Sequence, residues 1–438
     1  MFTSRSSLWA NLDCVGSDKT RTYLERSKSS PINLSLNRDD DLSPYDPFFQ
    51  TDPNAIGRLR SLSIEGAPWN LQDITAHLSH PAPLLEDMLI DGNYGREREP
   101  EDGPVLASTL FNGDLSSLRK LHLHSVCTDL PWKNMVNLTS FTLAFASPIS
   151  MRLLLDFFES APHLREVELY STTLISAAQN GRLVSLACLK RMYTDDVPPS
   201  ALLDHLLIPL GAHLTTDVNL PSPPIKGHPP KFLDNLRNLP NFTTIRLTGG
   251  PNPQMEFRGP NGEVCIYLVT PLGGGSCLSL EFLALFDTSK TKWLNIDLFS
   301  PSPSGPPHRA LVPMNDLHTL TLSRCLNPES FIQALHPSMS PSVVLVCPKL
   351  EELVVEHRGS LDIKVVIRMA AARASSGAKL RSIRIFDWYE TTYPQRDVLE
   401  LEKHVLHVEC GREVDEIGSD SDDSDEEDSG EEDSGEED

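Results

Sequence analysis

Apolar residues recur along the chain in a short unit, L-x-x-L-x-L, that accounts for most of its hydrophobic pattern. The unit is read at Leu59-x-x-Leu62-x-Ile64, Leu85-x-x-Met88-x-Ile90, Leu118-x-x-Leu121-x-Leu123, Leu138-x-x-Phe141-x-Leu143 and Leu164-x-x-Val167-x-Leu169. A weaker copy is Leu189-x-x-Met192-x-Thr194, and Leu214-x-x-x-Val218-x-Leu220 is stretched by one residue. Five more follow, led by Phe242, Leu280, Leu317, Leu350 and Leu380. In each unit the alternating pair predicts a short strand with every second side chain turned into a core, and the first apolar residue closes the turn that feeds it. One such strand cannot bury its own apolar face; twelve stacked copies can.

Successive units lie 20 to 38 residues apart; a period near 20–29 with this unit is the signature of leucine-rich repeats, and here several units are lengthened and none is read as carrying the Asn or Cys that a regular repeat places after its strand. Between strands, helical patterns run over Ser150–Ala161, Ser200–Leu210, Lys231–Leu239, Asn327–Leu335 and Leu361–Ser375, several with proline near the start. Strands and helices alternating at this period predict an α/β fold. It is an irregular leucine-rich-repeat solenoid of about 12 repeats, with a parallel sheet on the concave side and helices outside. Pro/Gly/Ser-rich stretches at 91–108, 221–230, 248–261 and 299–308 read as surface insertions, and Met255–Phe257 with Val264–Leu268 as an extra hairpin over Gly259-Pro260-Asn261-Gly262.

Charge changes this picture at one end only. The 438 residues carry a formal net charge of −23. From Glu413 to Asp438 there are 16 acidic residues and no basic one, which leaves −7 for residues 1–412. The tail is a low-complexity acidic segment expected to be disordered. The mildly acidic body gives no reason to expect nucleic-acid binding. Proline, 35 residues, is well above the usual level of roughly 5% and implies stiff, irregular connections. No apolar run approaches the ~20 residues of a spanning helix, and no apolar segment marks a secretory signal near Met1. The eight cysteines have no C-x-x-C spacing, which suits free thiols in a cytoplasmic or nuclear protein.

No constellation for catalysis, metal or cofactor emerges. His77/His80 and His404/His407 have i, i+3 spacing on expected helices but lack a third ligand. Gly273-Gly274-Gly275 lacks the Lys-Ser/Thr of a phosphate loop. What the pattern offers is the concave face, presented by the residues flanking each central apolar position. Its aromatic and arginine members are candidates for a partner surface: Tyr170, Tyr193, Arg246, Phe282, Phe286, Arg384, Phe386 and Trp388. Phe282 and Phe286 read equally well as core covered by neighbouring loops. In the tail, Ser419, Ser424, Ser429 and Ser434 each have an acidic residue three positions on, the pattern of an acidophilic serine kinase, or else of a plain solubilising tail.

The segment Ser7-Leu8-Trp9-Ala10-Asn11-Leu12-Asp13, followed by Leu24-Glu25-Arg26-Ser27-Lys28-Ser29-Ser30-Pro31-Ile32-Asn33-Leu34, resembles the stretch just after the F-box in fungal (basidiomycete) F-box proteins with leucine-rich repeats. Units such as Ala161-Pro162-His163-Leu164 and Cys347-Pro348-Lys349-Leu350 are similar to the repeats of that family. The resemblance implies a substrate-recognition role in a cullin ubiquitin ligase, with a Skp1-type adaptor as partner only where a full F-box is present. Here only Ser6–Leu12 of that region remains. The expected organisation is a remnant over 1–50, the repeats over 51–395, a cap over 396–412 and the tail over 413–438. Beside the adaptor reading stand two others: a repeat scaffold without a ligase link, and a binder of basic, histone-like proteins through the tail.

Overall fold

A computed structural model describes residues 6–13, 17–36, 53–65, 71, 77–92, 105–106, 110–128, 134–145, 148–175, 181–195, 202–209, 211–219, 242–249, 254–260, 262–269, 280, 283, 286–297, 307–325, 327–337, 345–358, 361–388 and 393–412. The fold is mixed α/β, dominated by one sheet of 17 strands. In chain order they are β1 (Asn11–Asp13), β2 (Ile32–Leu36), β3 (Leu59–Glu65), β4 (Asp87–Asp91), β5 (Lys120–His124), β6 (Ser140–Ala144), β7 (Glu166–Tyr170), β8 (Arg191–Thr194) and β9 (His213–Asn219). Then follow β10 (Thr244–Thr248), β11 (Gln254–Gly259), β12 (Gly262–Val269), β13 (Trp293–Asp297), β14 (Thr319–Cys325), β15 (Glu352–His357), β16 (Ser382–Asp387) and β17 (His407–Arg412).

Strands β1 to β9 pair in sequence order and in parallel. So do β13 to β17. The sheet stays open, with β1 bonded to β2 and β17 to β16. It also runs past both limits of the expected 51–395 stretch, because β1 and β2 precede residue 51 and β17 follows residue 395. Sequence order breaks once. β9 pairs with β12, β12 with the antiparallel β11, β11 with β10, and β10 with β13. The hairpin expected at 255–268 is therefore formed, and it is inserted into the sheet, occupying the two positions between β9 and β10.

The register explains the pattern of apolar residues. One column across the sheet runs Leu12, Leu34, Leu62, Met88, Leu121, Phe141, Val167, Met192 and Leu214, and all nine side chains are buried. A second column, two residues on, includes Ile64, Ile90, Leu123, Leu143 and Leu169. Alternation at period two places these on one face and the polar residues between them on the other. Where the second column turns polar, at Thr194 and Thr216, the two hydroxyls satisfy each other across the strands at 2.7 Å.

Among the described residues seven helices cover parts of the core face: α1 (Ser17–Ser27), α2 (Pro53–Gly57), α3 (Met151–Ser160), α4 (Pro307–Leu311), α5 (Pro328–Ala334), α6 (Ile363–Ser375) and α7 (Gln395–Glu402). The helices expected over 150–161, 327–335 and 361–375 are α3, α5 and α6. The Asp362 carboxylate caps α6 by accepting from Lys364 N at 3.0 Å. The helix expected over 200–210 is not formed. After one helical turn at 202–203 the chain extends, and Leu206–Leu207 pairs with Val184–Ser185. The helix expected over 231–239 lies outside the described residues, as does the tail 413–438.

Two strand assignments are corrected. Leu280 and Leu283 sit in tight helical turns and are both buried, while the strand of that region is β13, where Leu294 and Ile296 enter the core. Its leading position is Thr291, fully buried in place of a leucine, which hides the unit from a search for Leu. In β9 the core positions are Leu214 and Thr216, in register with Met192 and Thr194. Leu214 thus fills the middle of its unit, not the leading position.

One unit corrects the expectation that none carries Asn or Cys after its strand: Cys325 stands three residues beyond Leu322, at the position a regular repeat gives to that residue. It is buried, and its thiol donates to Ile296 O of the neighbouring strand at 3.4 Å. At the end of β4, Gly92 N donates to His124 O at 2.8 Å, and a Cβ built on Gly92 would meet Ser125 O at 2.3 Å. Replacing Gly92 by Ala is expected to cost about 2–3 kcal/mol of stability, since backbone, not a flexible side chain, blocks the methyl. Urea denaturation checks this, and an unchanged midpoint would contradict it.

Candidate functional site

Polar residues between the apolar columns form the open face of the sheet. Because the strands are parallel and in register, each open column is a row of side chains spaced by the strand separation, roughly 4.8 Å. The third-position row runs His122, Thr142, Glu168, Tyr193 and Thr215 from β5 to β9. Neighbours in such a row are far apart in sequence and adjacent in space.

The candidate surface residues fall into three separate clusters. On β7 and β8, Tyr170 and Tyr193 stack with ring centroids 4.7 Å apart, and both are half-buried. Beside them Arg191 Nη2 donates to Glu166 Oε1 at 2.5 Å, and Thr142 Oγ1 to Glu168 Oε2 at 3.1 Å. The bond from Arg191 holds the Glu166 carboxyl below the usual carboxylate range. Partial burial, with the charge of Glu168 behind it, raises the Tyr170 phenol, so the hydroxyl stays a neutral donor.

A second cluster centres on Asp297 at the end of β13, which is 3% exposed. Arg324 Nε donates to its Oδ1 at 2.7 Å and Arg324 Nη2 to Oδ2, while Arg246 Nη2 lies 3.7 Å from Oδ2. Arg246 is thus tied to a buried carboxylate that the sequence did not reveal, since the strand bearing it was not recognised.

The third cluster is on β15, β16 and the residue beyond. Arg384 Nη2 donates to Glu352 Oε1 at 2.6 Å, Phe386 is half-buried opposite Glu356, and the guanidinium of Arg358 lies 4.6 Å over the Trp388 ring. Eight strand spacings, roughly 40 Å along the sheet, separate it from the tyrosine pair.

Of the two readings of Phe286, the packing fits the covered-core one. Phe286 packs against Phe257 and Phe242, with centroids at 4.4 and 6.4 Å, and belongs to the core edge. The reason is that its segment is a turn, not a strand with an outward face. Phe282 lies outside the described residues, as do Ser419, Ser424, Ser429 and Ser434. The histidine pairs are also placed differently: His77 ends a helical turn and His80 is in a bend, while His404 is in the turn after α7 and His407 opens β17. Among the described residues no group of three His, Cys, Asp or Glu side chains could hold a metal ion. Five cysteines there, Cys188, Cys265, Cys325, Cys347 and Cys410, are thiols outside any disulfide. No helix among the described residues is long and apolar enough to cross a membrane.

One concavity escaped the sequence reading. A cleft of 780 Å³ opens along the edge where β2 to β7 begin, lined by Pro31, Pro83 and Leu84 together with Arg60, Arg119, Arg165 and His163. Apart from Arg60, inside β3, its residues precede the strands by one to four positions, so no single segment announces it. No family model matches the chain, and no curated protein matches it.

Proposed function

We propose that the open face is a protein-recognition surface and that the chain is a non-catalytic interaction module. In this reading it is a leucine-rich-repeat solenoid resembling the substrate-recognition part of an F-box adaptor, acting on a cytoplasmic or nuclear protein. The observation that carries the reading is the stacked Tyr170–Tyr193 pair, held on adjacent parallel strands at 4.7 Å. Paired aromatics with fixed backbones bury a large contact area at small entropic cost, which is the behaviour of interface anchors. The Glu166–Arg191 bridge and Glu168 give the pair a polar rim. Five cysteines outside any disulfide support an intracellular setting.

The test is capture of partners by the wild type and by Tyr170→Ala/Tyr193→Ala, read by quantitative mass spectrometry. The double variant is expected to weaken binding of the main partner by about 30-fold or more, corresponding to anchors worth ~2 kcal/mol. Arg152→Ala, on the exposed side of α3, should leave it unchanged. Equal capture by all three proteins, with matching melting curves, would remove the tyrosine pair from the interface.

A further inference from the structure

The cleft along the β2–β7 edge has a charge opposite to that of the protein. Its lining holds Arg60, Arg119 and Arg165 against one carboxylate, Glu86. That carboxylate is already engaged, with Arg60 Nε donating to its Oε2 at 3.1 Å. Arg119 and Arg165 have no side-chain partner among the described residues. Successive starts of the parallel strands stack them on one side: Arg165 N donates to Thr139 O, and Thr139 N to Arg119 O, each at 2.8 Å. The same edge continues with Lys120 and with Lys190, whose backbone N donates to Arg165 O at 2.7 Å.

We infer that this cleft binds the acidic segment 413–438 of the same chain, its carboxylates lying on Arg119 and Arg165 and its intervening residues against Pro31, Pro83 and Leu84. Three observations converge on that occupant. The segment has 16 acidic residues and no basic one, the complement that two unpaired guanidiniums require. The rest of the chain has no comparable run of like charge.

Reach permits it as well. The segment starts after the far end of β17, twelve strand positions from Arg119 at the start of β5, or roughly 58 Å along the sheet and roughly 20 Å more across it, from where the strands end to where they begin. Its 26 residues span at most about 90 Å when extended, and mutual repulsion favours extended forms of such a segment.

The experiment is zero-length carbodiimide cross-linking of the full chain at low ionic strength, with peptides mapped by mass spectrometry. Cross-links from carboxylates of 413–438 to Lys120 or Lys190 are expected, alongside local ones to Lys403 near the root of the segment. Arg119→Glu/Arg165→Glu should cut the first set at least about fivefold, as should raising salt to roughly 0.5 M, where screening removes long-range attraction. The Lys403 set reports that the chemistry still works. Cross-links confined to Lys403, or unchanged by charge reversal in a protein with an unaltered melting curve, would overturn the inference. So would links that prove intermolecular when isotope-labelled and unlabelled chains are mixed.

Discussion

Arg373→Ala is expected to lower the unfolding free energy by about 3–4 kcal/mol, combining lost hydrogen bonds to carbonyls with a cavity. Arg373 lies on the inner side of α6 and is completely buried. Its Nη1 donates to Val346 O at 2.9 Å and to Leu335 O at 3.5 Å, and its Nη2 to Cys347 O at 2.8 Å. These carbonyls belong to the segments on either side of 338–344, so one guanidinium clamps both. Burial lowers the pKa of Arg373, and no carboxylate among the described residues offsets that penalty through a direct bond. Removing the charge therefore recovers some desolvation energy.

The loss still wins in the alanine variant, because it leaves the carbonyls without this donor and opens a void. Arg373→Met keeps most of the volume and should cost only about 1–2 kcal/mol. A local probe separates this from general destabilisation. Burial pushes the Cys347 thiol up to about 12, which keeps it protonated and unreactive near neutral pH. In Arg373→Ala it should react with a disulfide reagent well before global unfolding. A denaturation midpoint matching the wild type, with Cys347 still protected, would show that the clamp is dispensable.

Phe257→Ala should cost about 3–5 kcal/mol, the usual range for deleting a buried phenylalanine ring. Phe257 is fully buried in β11 and packs between Phe242 at 4.9 Å and Phe286 at 4.4 Å. The strand it sits on is the sole antiparallel one described in the main sheet. Both its neighbours, β10 and β12, bond to it, so loosening β11 severs β9–β12 from β10–β13. Hydrogen exchange should rise in β10, β11 and β12 while β2 to β6 keep their protection, since strands that distant share no contact with the hairpin. Phe257→Leu retains most of the apolar volume and should cost about 1–1.5 kcal/mol. A loss below about 1 kcal/mol for the alanine variant, or exchange rising uniformly, would refute a structural role for the inserted hairpin.

Strand positions were legible wherever the core residues were aliphatic, because period-two alternation encodes which face is buried. Leu121/Leu123, Val167/Leu169 and Ile383/Ile385 are such cases, and all six are buried. Reading failed where a buried hydroxyl replaced an aliphatic side chain. Thr291 hid β13, and Thr216 shifted the apparent register of β9. Helices α3, α5 and α6 were legible from their apolar stripes. The 200–210 pattern was misread because Leu206 is buried by strand pairing with Val184, a long-range choice that local sequence does not carry.

The open-face tyrosines were found because alternation alone predicts their direction. The Asp297 cluster and the arginine cleft were not, because their members come from separate strands or from the turns before them and meet only through register.

That register has an evolutionary consequence. The apolar columns fix where every backbone lies, and the open columns contribute almost nothing to that decision. A substitution at Tyr193, Glu168 or Thr142 thus changes one tile of the open face and the side chain it touches, and leaves the backbones in place. In the proposed recognition role, binding preference can be rewritten a strand or two at a time, with folding left to the residues behind.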